Sequence, residues 1–267
     1  ALYHMEVFFM WKGIDVSDNQ GVIDWEQVAA AKVSFAILRS VRRSGKTDYQ
    51  FSVNLEGCRK YGIPVSVYKY TYATTTEAAR QEAQQVVELL RSHHLTGTMV
   101  WWDAEDKDVL RPLGAAKLTE CIRAAREVIT AAGYGFGLYV GLYVYKEHWF
   151  EFNAFSGTRL WVARYYKGYR TMRFEDEADQ KFKPDVDGDI SGWQYTSCGE
   201  IPGIKGDVDL DIAYEDPMLW SQPAVEPGVI YTVSVADVWT KELAEIARQQ
   251  FAARGIVGAV HKVIILE

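Results

Sequence analysis

The sequence predicts an α/β fold, an irregular (β/α) barrel of about eight strands with about five helices, followed by a small C-terminal βαβ unit. Three observations predict it. Short apolar segments alternate with longer amphipathic stretches along the first two thirds of the chain. Glycines stand where the amphipathic stretches end, and several apolar runs terminate in acidic residues, as strands do when they deliver side chains to the mouth of a parallel barrel.

The strand candidates are Lys12–Val16, Ser34–Val41, Ile63–Tyr70, Thr98–Asp103, Gly135–Val140, Arg159–Arg164, Ser191–Thr196 and Asp207–Ile212. Their near-continuous apolar runs suit a parallel sheet covered on both faces. Helix candidates fall between the early strands, at Asp24–Ala31, Tyr49–Tyr61, Thr76–Ser92, Leu113–Ala132 and Tyr143–Phe150. Thr76 precedes an acidic, Ala-rich stretch as a helix start would, and Gly62 and Gly133 follow helix ends as C-caps. The last three strands are joined by Gly-, Asp- and Pro-containing stretches with little helical period, so the ring of helices is expected to be incomplete.

The expected organisation is a leader over residues 1–10, a barrel over 11–220, a linker over 221–228 and a βαβ extension over 229–267. Pro223, Pro227 and Gly228 give the linker its character. The extension reads as a strand at Ile230–Val235, a helix at Thr240–Arg254 and a strand at Val257–Leu266, with packing on the barrel and binding to a cell wall as its two readings.

The 267 residues, 48% of them hydrophobic, suffice for a large core. The 29 basic residues against 36 acidic ones give a net charge of −7, and there is no Lys/Arg run to neutralise a phosphate backbone, which argues against nucleic acid as a partner. Nine Trp and sixteen Tyr provide either an aromatic core or the flat faces on which sugar rings stack. Cys58, Cys121 and Cys198 are odd in number and far apart, without the spacing of a disulfide framework or a zinc site. No segment approaches the ~18 apolar residues of a membrane span, and no secretory signal is visible.

Three acidic segments stand where barrel chemistry is built. Gly13-Ile14-Asp15-Val16-Ser17 places Asp15 in the opening strand, as a site acid or as a turn cap. Met99-Val100-Trp101-Trp102-Asp103-Ala104-Glu105-Asp106 spaces two carboxylates two residues apart, so that Asp103 and Glu105 share a face. Mutual repulsion and the flanking Trp101 and Trp102 would keep one of them protonated, the equipment for cleaving a glycosidic bond; the plainer role is capping of the next helix. Asp207, Asp209 and Asp211 alternate with apolar residues on one face of a late strand, and the loop pattern of a calcium site is absent. A Gly-x-Ser-x-Gly elbow, a nucleophile–His pairing, a phosphate loop and a dinucleotide fingerprint are all missing.

In order along the chain, several pieces resemble the family 25 glycoside hydrolases, the lysozymes described as N-acetylmuramidases. They are Gly13-Ile14-Asp15-Val16-Ser17 with Asn19-Gln20, Asp24-Trp25, Phe35-Ala36-Ile37-Leu38-Arg39, Gly62-Ile63-Pro64-Val65-Ser66-Val67-Tyr68-Lys69-Tyr70, Asp103-Ala104-Glu105, Leu160-Trp161-Val162-Ala163-Arg164-Tyr165, Trp193-Gln194-Tyr195 and Val208-Asp209-Leu210-Asp211. The resemblance implies hydrolysis of the β-1,4 bond between N-acetylmuramic acid and N-acetylglucosamine in bacterial cell-wall peptidoglycan. It implies no cofactor or metal and a place of action outside the cell or in the wall. By the same resemblance Glu105 is the general acid with Asp103 as partner, Asp15 and Asp209 complete an acidic floor, and Tyr68, Tyr139 and Trp193 line the sugar groove with Asp211 close by. The substrate's own 2-acetamido group is the implied nucleophile, oriented by Asp103. Two departures stand out: Asp211 where the family pattern has Asn, and Lys69, read either as pairing with an acid or, by preference, as pointing outward, where many relatives have His or a small residue. A chitinase-like hydrolase and a silent glycan-binding module are the alternatives. The first lacks the longer run of acids expected before Glu105, and the second gains nothing from two repelling carboxylates.

Overall fold

The computed structural model describes residues 10–188 and 190–221. Residues 1–9 of the expected leader, the expected linker beyond residue 221 and the expected βαβ extension at 229–267 lie outside the described residues. The strands are β1 (Trp11–Val16), β2 (Phe35–Arg39), β3 (Val65–Tyr70), β4 (Met99–Asp103), β5 (Gly135–Gly141), β6 (Arg159–Ala163), β7 (Met172–Arg173), β8 (Gly192–Glu200) and β9 (Val208–Ala213). The helices are α1 (Trp25–Ala30), α2 (Phe51–Tyr61), α3 (Thr76–Ser92), α4 (Ala115–Ala131) and α5 (Leu142–Lys146). Among the described residues no helix is long and apolar enough to cross a membrane.

Local chemistry sets the helix ends. Asp24 accepts hydrogen bonds from the backbone N–H groups of Glu26 and Gln27 to open α1. Thr75, one residue before the expected start, does the same for Ala78 in α3. Gly62 closes α2 in the left-handed region, φ 68°, which a side chain would resist.

Strands β1 to β6 pair in sequence order, all parallel; β6 pairs with β8, and β9 returns to β1, closing a barrel of eight strands. The expectation of a wholly parallel sheet is corrected here. β9 runs antiparallel to both β8 and β1, because the Ile201–Asp207 connection is too short for a crossover and turns back as a hairpin. The two-residue β7, unpredicted, adds to the edge of β8.

Each of the eight barrel strands buries residues on both faces, and the two faces differ. Outward residues such as Ile14, Leu38, Val67, Val100, Trp102, Leu138, Val162, Trp193 and Leu210 meet the helices and loops in the main core. Inward, Phe35, Ile37, Met99, Trp101 and Trp161, with Trp220 from the chain after β9, form a separate aromatic plug. Trp101, Trp161 and Trp220 lie edge to face, with centroids 5.0–5.3 Å apart. Inward glycines make room for it. A Cβ at Gly13 would sit 2.3 Å from the Phe35 ring, at Gly137 2.5 Å from Trp101, and at Gly192 2.3 Å from Trp161. Emptying one such ring position to alanine costs about 3–5 kcal/mol by the usual behaviour of buried Phe and Trp. Part of the aromatic surplus is thus a barrel filling, and it forms the floor on which the polar layer above it rests.

Lys69 does face away from the barrel interior, but it does not reach solvent. It is buried beneath α3, where its Nζ lies 3.4 Å from Glu82 and donates to the Tyr70 carbonyl at 2.6 Å. Burial lowers its pKa and Glu82 opposes that shift. The outer face of a covered barrel is not a water-exposed face, which is why outward position did not mean exposure.

Candidate active site

At the C-terminal ends of the parallel strands the inward positions turn polar. Asp15 on β1, Tyr68 and Tyr70 on β3, Asp103 on β4, Tyr139 on β5, Gln194 on β8 and Asp209 on β9 line a cavity of about 190 Å³, together with Glu105, Tyr165 and the upper surface of Ile37, Trp101 and Trp161. Each strand contributes by period-two alternation. Tyr68 and Tyr70 flank the outward Lys69, Trp101 and Asp103 flank the outward Trp102, and the register pairs Asp15 with Asp209 across β1 and β9.

Glu105 lies two residues past the end of β4. Its Oε2 accepts the Gly141 N–H at 2.8 Å, and Tyr143 Oη donates to its backbone carbonyl at 3.2 Å. Gly141 must be bare for this, since a Cβ there would stand 3.0 Å from Glu105 Oε2 and 2.3 Å from the Tyr143 ring. Neither acid caps a helix: Asp106 caps the turn that follows, its Oδ1 accepting from the N–H groups of Asp108 and Val109, and α4 begins later, after Gly114. Asp103 is deeper, and its Oδ1 has no hydrogen-bond partner.

Gln194 ties the opposite wall together. Its Nε2 donates to Asp15 Oδ2 at 2.5 Å, while its Oε1 accepts from Tyr139 Oη at 2.7 Å and from Tyr165 Oη at 2.5 Å. One amide thereby fixes a carboxylate and two phenols. Burial holds both phenols well above their ordinary range, so they remain donors.

The electrostatics follow from four carboxyl groups around one cavity with no Lys or Arg among its lining residues. Burial pushes Asp15 up to about 6, opposed by its bond from Gln194. Burial also raises Glu105, opposed by the Gly141 N–H. Asp103 and Asp209 are raised well above the carboxylate range, by burial first and then by Glu105 and Asp15 respectively. Protons retained near neutrality belong to the set more than to any one member. Burial alone favours Asp103 as their holder. Glu105, at the lip and only partly buried, is the acid that a bound molecule can reach.

Comparison with known proteins fits this geometry. The profile of Glycosyl hydrolases family 25 matches residues 14–204, more than half of the chain. The chain belongs to glycosyl hydrolase family 25. It is similar to an autolytic lysozyme of Clostridium acetobutylicum, 23% identical over 224 residues that cover 81% of this chain and 60% of that protein. The modular autolysin LytC of Streptococcus pneumoniae superposes with a TM-score of 0.62 at 26% identity, covering 78% of this chain and 47% of that one. The catalytic domain of an endolysin from a bacteriophage of Listeria monocytogenes gives 0.63 at 24% identity, covering 82% of this chain and all of that domain. The match therefore spans only about half to three fifths of the lysozyme and the autolysin.

Of the residues expected at a family 25 site, Asp15, Tyr68, Asp103, Glu105, Tyr139 and Asp209 meet in the one cavity. Two expected neighbours do not line it. Trp193 is wholly buried on the outward face of β8, with its Nε1 donating to the Arg164 carbonyl at 3.0 Å; the residue of that strand that turns inward is Gln194. Asp211 is fully buried one inward position below Asp209, level with Gly13 and Gln194, and neither of its carboxyl oxygens has a hydrogen-bond partner. Trp161 Nε1, also unpartnered, and the Asp15 carboxyl both act on Asp211, the first lowering and the second raising its pKa, but neither stands in hydrogen-bond geometry to it. Asp207 is exposed ahead of β9, so only two of the three alternating acids turn inward. Gln194, Tyr165, Tyr70 and Trp161 were not picked out as site residues, although all four stand inside segments that carry the family resemblance.

Proposed function

We propose that this glycoside hydrolase is a lysozyme, acting on bacterial cell-wall peptidoglycan at the β-1,4 bond between N-acetylmuramic acid and N-acetylglucosamine. The observation that carries the reading is the pairing of Glu105, raised in pKa and placed at the cavity lip, with the deeper Asp103, whose Oδ1 lacks a partner. An autolytic lysozyme and an autolysin among the similar proteins support the same substrate. The substrate places the site of action in the wall, outside the cell membrane.

In this reading Glu105 gives its proton to the leaving oxygen as positive charge develops at C1. The carbonyl oxygen of the substrate's 2-acetamido group attacks C1 as the bond to the leaving sugar breaks. Asp103, ionised once substrate is bound and the shared proton rests on Glu105, accepts the acetamido N–H and stabilises the resulting cation, a use that fits a buried carboxyl with an unused acceptor. Water then opens the cyclic intermediate, returning a proton to Glu105. Asp15 and Asp209 set the negative field of the floor, and Tyr68 and Tyr139 offer ring faces and hydroxyls to the sugar. The test is analysis of the product ends from purified peptidoglycan by mass spectrometry. New reducing N-acetylmuramic acid ends are expected; reducing N-acetylglucosamine ends, or release from chitin instead, would replace the reading.

A further inference from the structure

Beside the acidic cavity stands a compact cationic arm that the catalytic reading does not use. It is the turn after β2, where Arg42 N–H donates to the Lys46 carbonyl and Gly45 N–H to the Arg42 carbonyl, with Val41 and Thr47 bridged. Gly45, at φ +78°, lets the turn settle against α3, since a Cβ there would lie 2.7 Å from the Gln85 amide. The turn is thus held in place rather than loosely exposed.

Its two guanidinium groups are stacked on aromatic rings. Arg42 Cζ lies 3.5 Å over the Tyr49 ring and its Nε donates to the Thr47 carbonyl, and Arg43 Cζ lies 4.3 Å over Tyr72. The Tyr72 ring is 5.0 Å from that of Tyr70, which lines the catalytic cavity. Neighbouring Arg39 is paired with Asp18 and Asp48. Arg42, Arg43 and Lys46, in contrast, make no ion pair among the described residues. A guanidinium stacked on a ring is pre-oriented, and with Arg42 Nε taken by Thr47 its Nη1/Nη2 edge is the one that offers a carboxylate two parallel hydrogen bonds.

We propose that this arm binds carboxylate groups of the peptide stems carried by the glycan strand, so that the cavity takes the sugar and the arm selects for its acidic side chain. The proposal rests on the peptidoglycan reading above. It explains why unpaired positive charge sits at the rim of a site that is otherwise negative and belongs to a chain of net charge −7. An acidic cavity alone would repel a substrate bearing carboxylates, and the arm offsets that from beside it, through Tyr72 and Tyr70.

The test measures binding by calorimetry in a Glu105→Gln background, which holds substrate without turnover. The probe is soluble peptidoglycan fragments that carry peptide stems and are free of phosphate-bearing wall polymers, compared with the same fragments after conversion of their carboxylates to amides. Arg42→Gln together with Arg43→Gln is expected to weaken binding of the untreated fragments about fivefold, an effect that shrinks with salt, and to erase their advantage over the amidated ones. Arg80→Gln together with Arg123→Gln, exposed arginines on α3 and α4, removes the same two charges and should leave that advantage intact. An advantage unchanged in the double variant, or an equal loss for both fragments, would overturn the arm while sparing the enzyme reading. Binding of neither fragment by the arginine-bearing protein would overturn both.

Discussion

Replacing Asp211 with asparagine removes a carboxyl group that is wholly buried, has no hydrogen-bond partner for either oxygen, and is held well above the carboxylate pKa range by burial and then by Asp15 and Asp209. In the unfolded chain the same group ionises near pH ~3.9. Between that value and its folded pKa, the folded protein keeps a proton that the unfolded chain has released, so stability falls as pH rises, by up to about 1.4 kcal/mol per pH unit. Below pH ~3.9 both states are protonated and the penalty vanishes. Asparagine does not titrate. It introduces amide donors that cost about 1–3 kcal/mol if they too go unpaired, but that offset is the same at every pH. The slope is therefore the diagnostic quantity. Thermal unfolding of both proteins across pH 4 to 7 should show the variant gaining on the wild type as pH rises, by up to roughly 3–6 °C in Tm per unit, since 1 kcal/mol moves Tm by about 2–4 °C in a domain of this size. A gap that stays constant with pH, or a wild type that gains, would refute the claim that this carboxyl is buried with its proton.

Gln194→Leu should strand Asp15, Tyr139 and Tyr165 at once; a loss of about 2–3 kcal/mol by chemical denaturation and at least a tenfold fall in kcat/KM are expected, and a neutral effect on both would show that the network does not orient the site. Glu82→Ala leaves Lys69 buried without its acid and should cost about 3–5 kcal/mol, whereas Glu82→Ala combined with Lys69→Met should recover only the part due to the unpaired charge, since Thr71 Oγ1 and the Tyr72 N–H still lose their acceptor. If the floor must carry an ionised Asp15, kcat/KM falls as pH drops through about 6, where that group gains its proton. A profile flat down to pH ~4 would remove Asp15 from the reaction, because by then even an unperturbed carboxylate is half protonated.

The barrel was legible because period-two strands, amphipathic helices and glycine stops agree with one another along residues 12–164, and the eight expected strands are those that close it. What failed to show was direction and facing. Antiparallel β9 is dictated by the shortness of one connection, a feature that apolar periodicity does not register. In Trp193-Gln194-Tyr195 the pattern separates the aromatics from the amide but does not say which set turns inward, since both faces of the strand are buried; the sugar-binding habit of tryptophan favoured the wrong face. The same ambiguity hid the plug of Trp101, Trp161 and Trp220, whose aromatic surplus looked like ligand-binding surface. Acids were easier to place, because a carboxylate inside an apolar run has few uses besides a site. Asp15, Asp103, Glu105 and Asp209 did converge, while Asp211 proved to lie one layer too deep for contact.

Glu105 as the proton donor is tested most directly by comparing peptidoglycan cleavage by wild type and Glu105→Gln, with Asp103→Asn alongside. Glutamine preserves shape and can still accept the Gly141 N–H, so the account predicts an unchanged Tm within about 2 °C and a rate reduced at least a hundredfold, the lower bound of what a positioned general acid contributes. A Glu105→Gln protein that keeps most of its rate, with Asp103→Asn inactive, would contradict it and make the deeper carboxyl the donor.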